Sequence, residues 1–222
     1  MQKVDFKTKD GVNIAGSFYP VEKKTAPAVV LLHMMPETKE SWKDFAEKFN
    51  KAGFQALAID LRGHGESEMG PRGFQIFSNK DHQASIEDIE AAVNFFVEQG
   101  ISLEKIVLIG ASIGANLALQ FQAEHPQIKA SILLSPGLNY RGVETEPAAG
   151  KITENQSVFL AAGGENDDYS TETAQILSNM LKSKNKKLKI IDNAGHGTDI
   201  LNSQRFLINE IILWIQSLNL KT

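Results

Sequence analysis

Residues 106–116 read IVLIGASIGAN and combine a strand-like run, a serine turn and the start of a helix. The first four residues are apolar, as in a parallel strand that is buried on both faces. The segment 112–124 has the pattern of a helix, and Pro126 marks its end. Gly-x-Ser-x-Gly by itself is often an ordinary turn, so the flanking strand and helix carry the argument. Together they present Ser112 at a sharp turn above the positive end of a helix, as a candidate nucleophile.

Composition favours one globular domain over residues 1–222. The chain is 42% hydrophobic, and no Pro/Gly/Ser-rich linker divides it. A net charge of −4 gives no electrostatic reason to expect nucleic acid or an anionic membrane as a partner. The absence of cysteine excludes disulfides, thiolate metal ligands and a cysteine nucleophile. With no leader-like N-terminus and no apolar run near the roughly 18 residues of a membrane span, we expect a cytoplasmic protein without membrane insertion.

Strand and helix patterns alternate along most of the chain. The turn Asp10–Gly11 lies between strand-like segments 4–8 and 14–19 and predicts an antiparallel hairpin. Further strands are predicted at 28–33, 54–60, 106–110, 130–134, 157–162 and 187–191, and helices at 42–52, 85–99, 112–124, 171–181 and 205–218. This alternation predicts an α/β fold, with a mostly parallel central sheet and helices on both faces.

The loops that follow the strands of a parallel sheet are where chemistry is expected. A serine nucleophile needs a histidine to remove its proton, and the histidine needs a carboxylate to orient it. His196 lies in a glycine-flanked loop after a late strand, which makes it the candidate base. The other histidines lie in a turn or at the ends of predicted elements, where a structural role is favoured: His33, His64, His82 and His125.

Several aspartates compete for the role of the acid. Asp167 is favoured because of its spacing from the other two candidates. There is room for a strand–helix unit between Ser112 and Asp167, and for another between Asp167 and His196. Asp168, Asp192 and Asp199 are the alternatives, and each of these aspartates could equally be a turn or helix-cap residue.

Four stretches together resemble consecutive signature regions of the α/β-hydrolase family and span most of the chain. They are LLHMMPETKESWKDFAEKFNKAGFQALAIDLRGHGES from residue 31, IGASIGAN from 109, LAAGGENDDYS from 160 and NAGHG from 193. The resemblance implies an α/β-hydrolase fold in which Ser112 is the nucleophile, Asp167 the acid and His196 the base. It also implies an oxyanion hole made by the backbone N–H groups of Met35 and Ile113. It implies no metal and no organic cofactor.

Two departures from larger family members bear on the expected pocket. Met34 stands where the family commonly has a glycine, and we expect it to narrow the acyl pocket. Only about twenty residues, 135–156, separate two predicted strands, so no large cap domain is expected and the site should be open, as in small carboxylesterases and dienelactone-hydrolase-like members. Apolar loop residues that could roof the site, or could equally be ordinary packing, are Met34, Met35, Phe74, Phe77, Leu138, Tyr140 and Tyr169.

The functional hypothesis is hydrolysis of small soluble carboxylic esters through an acyl-enzyme on Ser112. The same apparatus also serves thioesterases, other acyl hydrolases and acyltransferases, which remain alternatives. A non-catalytic ligand-binding member of the fold is the alternative from another class. The sequence sets neither the natural substrate nor the oligomeric state.

Overall fold

A computed structural model of the protein describes residues 1–220. Its centre is an eight-stranded sheet, in the spatial order β1-β2-β4-β3-β5-β6-β9-β10. Strand β2 is antiparallel to both neighbours, and β3, β4, β5, β6, β9 and β10 run parallel to one another. The strands are β1 (Gln2–Lys7), β2 (Asn13–Tyr19), β3 (Ala28–Leu32), β4 (Gln55–Ile59), β5 (Ile106–Ala111), β6 (Ala130–Leu134), β7 (Asn139–Tyr140), β8 (Val143–Glu144), β9 (Ser157–Ala162) and β10 (Asn185–Ile190). The predicted parallel sheet and antiparallel N-terminal hairpin are confirmed.

Helices cover both faces of the sheet. They are α1 (Lys43–Lys51), α2 (Asn79–Gln83), α3 (Ile86–Val97), α4 (Ile113–Glu124), α5 (Glu146–Lys151), α6 (Asp168–Met180), α7 (Asp199–Ser203) and α8 (Phe206–Ser217). Helices α3, α4, α5 and α6 contribute to one buried apolar cluster, and α1, α7 and α8 contribute to the other. None of the helices formed by residues 1–220 has both the length and the apolar character that a membrane span requires.

The central strands are buried along their whole length, and the edge strands are not. Every residue of β3, β4, β5, β6 and β9 is buried, as expected for parallel strands covered by helices on both faces. The edge strand β10 is exposed or half-buried and carries lysines, which discourage pairing with another chain. Lys187 and Lys189 both pair with Glu210 of α8, at 2.6 and 2.9 Å.

The segment between β6 and β9 forms no cap domain, as predicted. It contains only the two-stranded hairpin β7–β8 and the short helix α5. The sequence prediction did not include these elements, nor α2 and α7. All of them are six residues or shorter, so they offer too few positions for a periodic apolar pattern to be recognised.

Candidate active site

Ser112 occupies the turn between β5 and α4 in a backbone conformation that is unusual for a residue with a side chain. Its φ and ψ are 54° and −120°, and its amide donates a 2.8 Å hydrogen bond to the carbonyl of Leu134. A Cβ on Gly110 would overlap the backbone of Gly114, and one on Gly114 would lie 2.5 Å from the carbonyl of Leu32. The flanking residues must therefore be glycine for the strand to turn this sharply into the helix, with Ser112 at the tip.

Asp167 and His196 form a hydrogen-bonded pair at the same edge of the sheet. The distance between Asp167 Oδ1 and His196 Nδ1 is 2.7 Å, and the two residues come from the loops after β9 and β10. The carboxylate assigns the proton to Nδ1 and leaves Nε2 as the basic nitrogen. The Asp167 side chain is 6% exposed and that of His196 is 36% exposed, so the imidazole is accessible while its partner is enclosed.

The electrostatics of the pair keep Asp167 ionised. Burial raises the pKa of Asp167, but hydrogen bonds with His196, Ser135 and Ser170 outweigh burial and hold the pKa below its usual value. An ionised carboxylate at neutral pH is the state that orients a histidine and stabilises the imidazolium.

Ser135 connects the acid and base loops and was missed by the sequence analysis. Its Oγ donates to Asp167 Oδ2 at 2.5 Å and accepts the N–H of Gly197 at 2.7 Å. The residue is fully buried and has a φ of 51°. Its position directly after β6, at the carboxyl edge of the sheet, was the one signal that could have identified it.

Glycines let the acid and base loops lie against each other. A Cβ on Gly163 would overlap the carbonyl of Gly195, so Gly163 is required by the close approach of the two backbones. A Cβ on Gly197 would lie 2.5 Å from the sulfur of Met34. Met34 is 8% exposed and belongs to the apolar cluster beneath α1, α7 and α8. The structure thus assigns Met34 to the core below the histidine loop, in place of the pocket wall expected from the sequence.

The loop after β3 is held by a buried histidine. His33 Nδ1 donates to the carbonyl of Met34 at 2.9 Å, and its Nε2 accepts the N–H of Leu61 at 3.0 Å. Burial lowers the pKa of His33 to about 3, so the ring is neutral and both nitrogens serve the backbone. The backbone amides of Met35 and Ile113 donate none of the loop, cap or side-chain hydrogen bonds formed within residues 1–220.

Tyr140 lies over the Asp167–His196 pair. Its ring meets the imidazole edge-on, with a centroid distance of 6.2 Å, and packs against Tyr169 at 5.7 Å. The Tyr140 hydroxyl is 3.0 Å from Ser170 Oγ. Burial raises the pKa of Tyr140 to about 12 against the opposing hydrogen bond of Ser170, so the phenol is neutral at neutral pH.

A cavity of about 420 Å³ lies beside the loop that carries Met35. Phe74 and Phe77 form its aromatic walls. Its lining is completed by Met35, Pro36, Gln75, His82 and Arg141. Tyr140, which contacts His196, and Tyr169, which packs against Tyr140, both lie outside this lining. Leu138 is half-buried where the chain enters β7. Arg141 and His82 were not predicted as site residues, because neither lies in a recognisable motif.

The fold is that of an α/β hydrolase. Residues 23–158 match the profile of a family described as Serine aminopeptidase, S33. Because the match spans more than half of the chain, the protein belongs to this family of α/β hydrolases.

Individual relatives include proteins with different acyl chemistries in their names. Thiohydrolase aneE of Aspergillus aculeatus is 33% identical over 138 residues, which cover 60% of this chain and 41% of that protein. Bifunctional esterase/perhydrolase DCH of Acinetobacter calcoaceticus is 30% identical over 131 residues, covering 58% of this chain and 42% of that protein. The chain therefore spans less than half the length of these relatives.

A solved structure shows the same fold over almost all of the chain. The esterase Pf2001 of Pyrococcus furiosus superposes with a TM-score of 0.79 at 19% sequence identity, covering 97% of this chain and 89% of that protein. At this identity the likeness concerns the fold.

Proposed function

We propose that the protein is a serine hydrolase that cleaves carboxylic esters of small substrates through an acyl-enzyme. The observation that carries the proposal is the 2.7 Å contact between Asp167 and His196, at the sheet edge where Ser112 is held in a strained turn. A carboxylate–histidine pair makes a serine hydroxyl nucleophilic, and a structural turn needs no such pair.

In the first half-reaction, Ser112 Oγ bonds to the ester carbonyl carbon while His196 Nε2 takes the hydroxyl proton. The carbonyl oxygen becomes an oxyanion, and the amides of Met35 and Ile113 donate to it. The intermediate then collapses, the carbon–oxygen bond to the alcohol breaks, and His196 gives the proton to the departing alcohol. Asp167 stays ionised throughout and stabilises the imidazolium.

In the second half-reaction, a water molecule attacks the acyl carbonyl and gives its proton to His196. The new tetrahedral intermediate uses the same two amides. When it collapses, Ser112 Oγ leaves and recovers the proton from His196, and the carboxylic acid is released. No step in this sequence calls for a redox change or a cofactor.

The test is hydrolysis of p-nitrophenyl esters, from acetate to long acyl chains, by the wild-type protein and its Ser112→Ala variant. We expect Ser112→Ala to lower kcat by roughly 10⁴-fold or more, as in other serine triads. Ser217→Ala is the matched control, because Ser217 is an exposed serine at the end of α8. Equal turnover by wild type and Ser112→Ala would contradict the proposal, and ligand binding without turnover of any ester would favour a non-catalytic role.

Thioester cleavage is the second candidate, favoured by the similarity to a protein named as a thiohydrolase. The same acyl-enzyme forms in both reactions, and only the leaving atom differs. Comparing p-nitrophenyl and thiophenyl esters of one acid on the same enzyme separates the two, because a thioesterase should show the higher kcat/KM for the thioester.

A further inference from the structure

Arg141 lies at the tip of the hairpin β7–β8 in a conformation that usually belongs to other residues. Its φ is 54° and that of Gly142 is 83°, so both central residues of this two-residue turn have a positive φ. Such type I′ turns favour asparagine, aspartate and glycine, and an arginine at the first position is strained. Strained positions that persist are concentrated at functional sites, and this one lies on the wall of the cavity beside Met35.

The hairpin is anchored from several sides, which presents Arg141 in a defined place. The amide of Gly142 donates to Asn139 Oδ1 at 2.8 Å, and the carbonyl of Gly142 accepts from Gln83 Nε2 at 2.7 Å. Tyr140, the residue before Arg141, packs against both Tyr169 and His196. Tyr140 and Arg141 are therefore neighbours on one anchored hairpin. Tyr140 covers the candidate catalytic pair, and Arg141 lines the cavity.

The cavity has one unpaired cation in its lining, the exposed Arg141. Within residues 1–220, no carboxylate forms an ion pair with Arg141, and no acidic residue lines the cavity. His82 adds no charge at neutral pH, because burial and the nearby Arg141 charge lower its pKa. The nearby Asp81 carboxylate is engaged by the amide and hydroxyl of Ser78, at 2.8 and 2.7 Å.

We propose that this cavity is a subsite for a carboxylate carried by the substrate, with Arg141 as its counter-ion. Phe74 and Phe77 would contact the apolar part of the same group, and Met35 connects the cavity to the amide proposed to bind the oxyanion. A planar guanidinium is well suited to a carboxylate, which it can bind through two parallel hydrogen bonds. The inference rests on the proposed esterase function and adds a substrate class to it: esters whose acid or alcohol part bears a second, free carboxylate.

The kinetic test compares matched ester pairs in which a carboxylate replaces a methyl group. For the acyl side, the pair is the mono-p-nitrophenyl ester of adipic acid and p-nitrophenyl hexanoate. For the alcohol side, it is 4-acetoxybenzoate and 4-methylphenyl acetate. We expect the wild type to prefer the acidic member of at least one pair. Arg141→Gln should lower that preference, measured as the ratio of kcat/KM values, by about tenfold or more.

Arg205→Gln is the matched control, because Arg205 is exposed, lies before α8 and loses the same charge without lining the cavity. The proposal predicts that Arg205→Gln keeps the wild-type preference. An unchanged ratio in Arg141→Gln for both pairs would overturn the proposal, and so would an equal loss in Arg205→Gln, because it would indicate a long-range charge effect.

A binding measurement separates failure of the subsite from failure of the esterase proposal. Monomethyl adipate and methyl hexanoate are titrated by calorimetry into Ser112→Ala and into Ser112→Ala/Arg141→Gln. We expect the acid to bind Ser112→Ala more tightly than the neutral ester, and its affinity to fall by about tenfold in the double variant. Equal affinities would overturn the subsite even if esters are hydrolysed. A preference for the acid that is lost in the double variant would support the subsite even if the wild type cleaves no ester.

Discussion

Replacing Ser135 with alanine tests whether this serine positions the acid and the base. The variant loses the 2.5 Å hydrogen bond from Ser135 to Asp167 and leaves the N–H of Gly197 without its 2.7 Å acceptor. A hydrogen bond to a charged group contributes about 1.5–3 kcal/mol, and a buried N–H without a partner costs about 1–3 kcal/mol. Because these contributions share one hydroxyl and add incompletely, we expect the free energy of unfolding to fall by about 2–4 kcal/mol.

The catalytic effect of Ser135→Ala should be separable from its effect on stability. One of the hydrogen bonds that lower the pKa of Asp167 is removed, so the pKa should rise. Asp167 must be ionised to orient His196, and the part of the acidic limb of the kcat–pH profile that reports this carboxylate should therefore move to higher pH. Looser loops should also lower kcat by about 10–100-fold at pH 8, since misplacement by about 1 Å costs that much.

The pKa shift of Asp167 also determines how the stability of the protein depends on pH. The pKa of Asp167 is lower in the folded state than in the unfolded state, so its contribution to stability is present above the unfolded pKa and is lost as the pH falls through the folded pKa. In Ser135→Ala the folded pKa is closer to the unfolded one, and this contribution should be smaller. Urea unfolding at pH 7 and at pH 3, with a kcat–pH profile on a p-nitrophenyl ester, measures both effects.

Ser131→Ala is the matched control for Ser135→Ala. Ser131 is a fully buried serine of β6, the strand that Ser135 directly follows, and its hydroxyl donates to Gln122 at 2.6 Å, away from the acid and base loops. It should lose stability while keeping the wild-type kcat and acidic limb. An unshifted acidic limb in Ser135→Ala, or the same shift in Ser131→Ala, would refute the positioning role.

Two further predictions concern strain and acid stability. Ser112→Gly should abolish ester turnover and raise the free energy of unfolding by about 1–2 kcal/mol, because glycine tolerates the φ of 54°. Ser112→Ala is the control, because alanine keeps the backbone strain. An equal gain in stability for both variants, measured by urea unfolding, would contradict this reason. Asp10→Asn should flatten the loss of stability between pH 4 and pH 2. The hydrogen bond from Arg62 lowers the pKa of Asp10 to about 2, so its contribution is present above the unfolded pKa and disappears as the pH falls through 2; identical slopes in wild type and variant would count against it.

Local patterns in the sequence were sufficient to predict the sheet, its hairpin and the loops that carry Ser112, Asp167 and His196. Buried parallel strands are continuous apolar runs, and amphipathic helices have apolar residues at three- and four-residue spacing. Both patterns can be recognised from residues that are close together in the sequence. Parallel strands end at a common edge, and the residue types needed for acyl transfer could therefore be sought in a few loops. The glycines around Ser112 were recognisable because only a residue without a side chain permits so sharp a turn.

Tertiary structure alone decided which distant groups meet. Ser135 touches Asp167 and Gly197 across 32 and 62 residues of chain, and the sequence holds no local sign of either contact. The hairpin that presents Tyr140 and Arg141 has strands of two residues, too short for a pattern. Met34 was expected at the pocket because a family comparison specifies a position but not a side-chain direction, and packing beneath the histidine loop directs it into the core. Local conformation follows from neighbouring residues, whereas side-chain partners depend on how separate elements pack together.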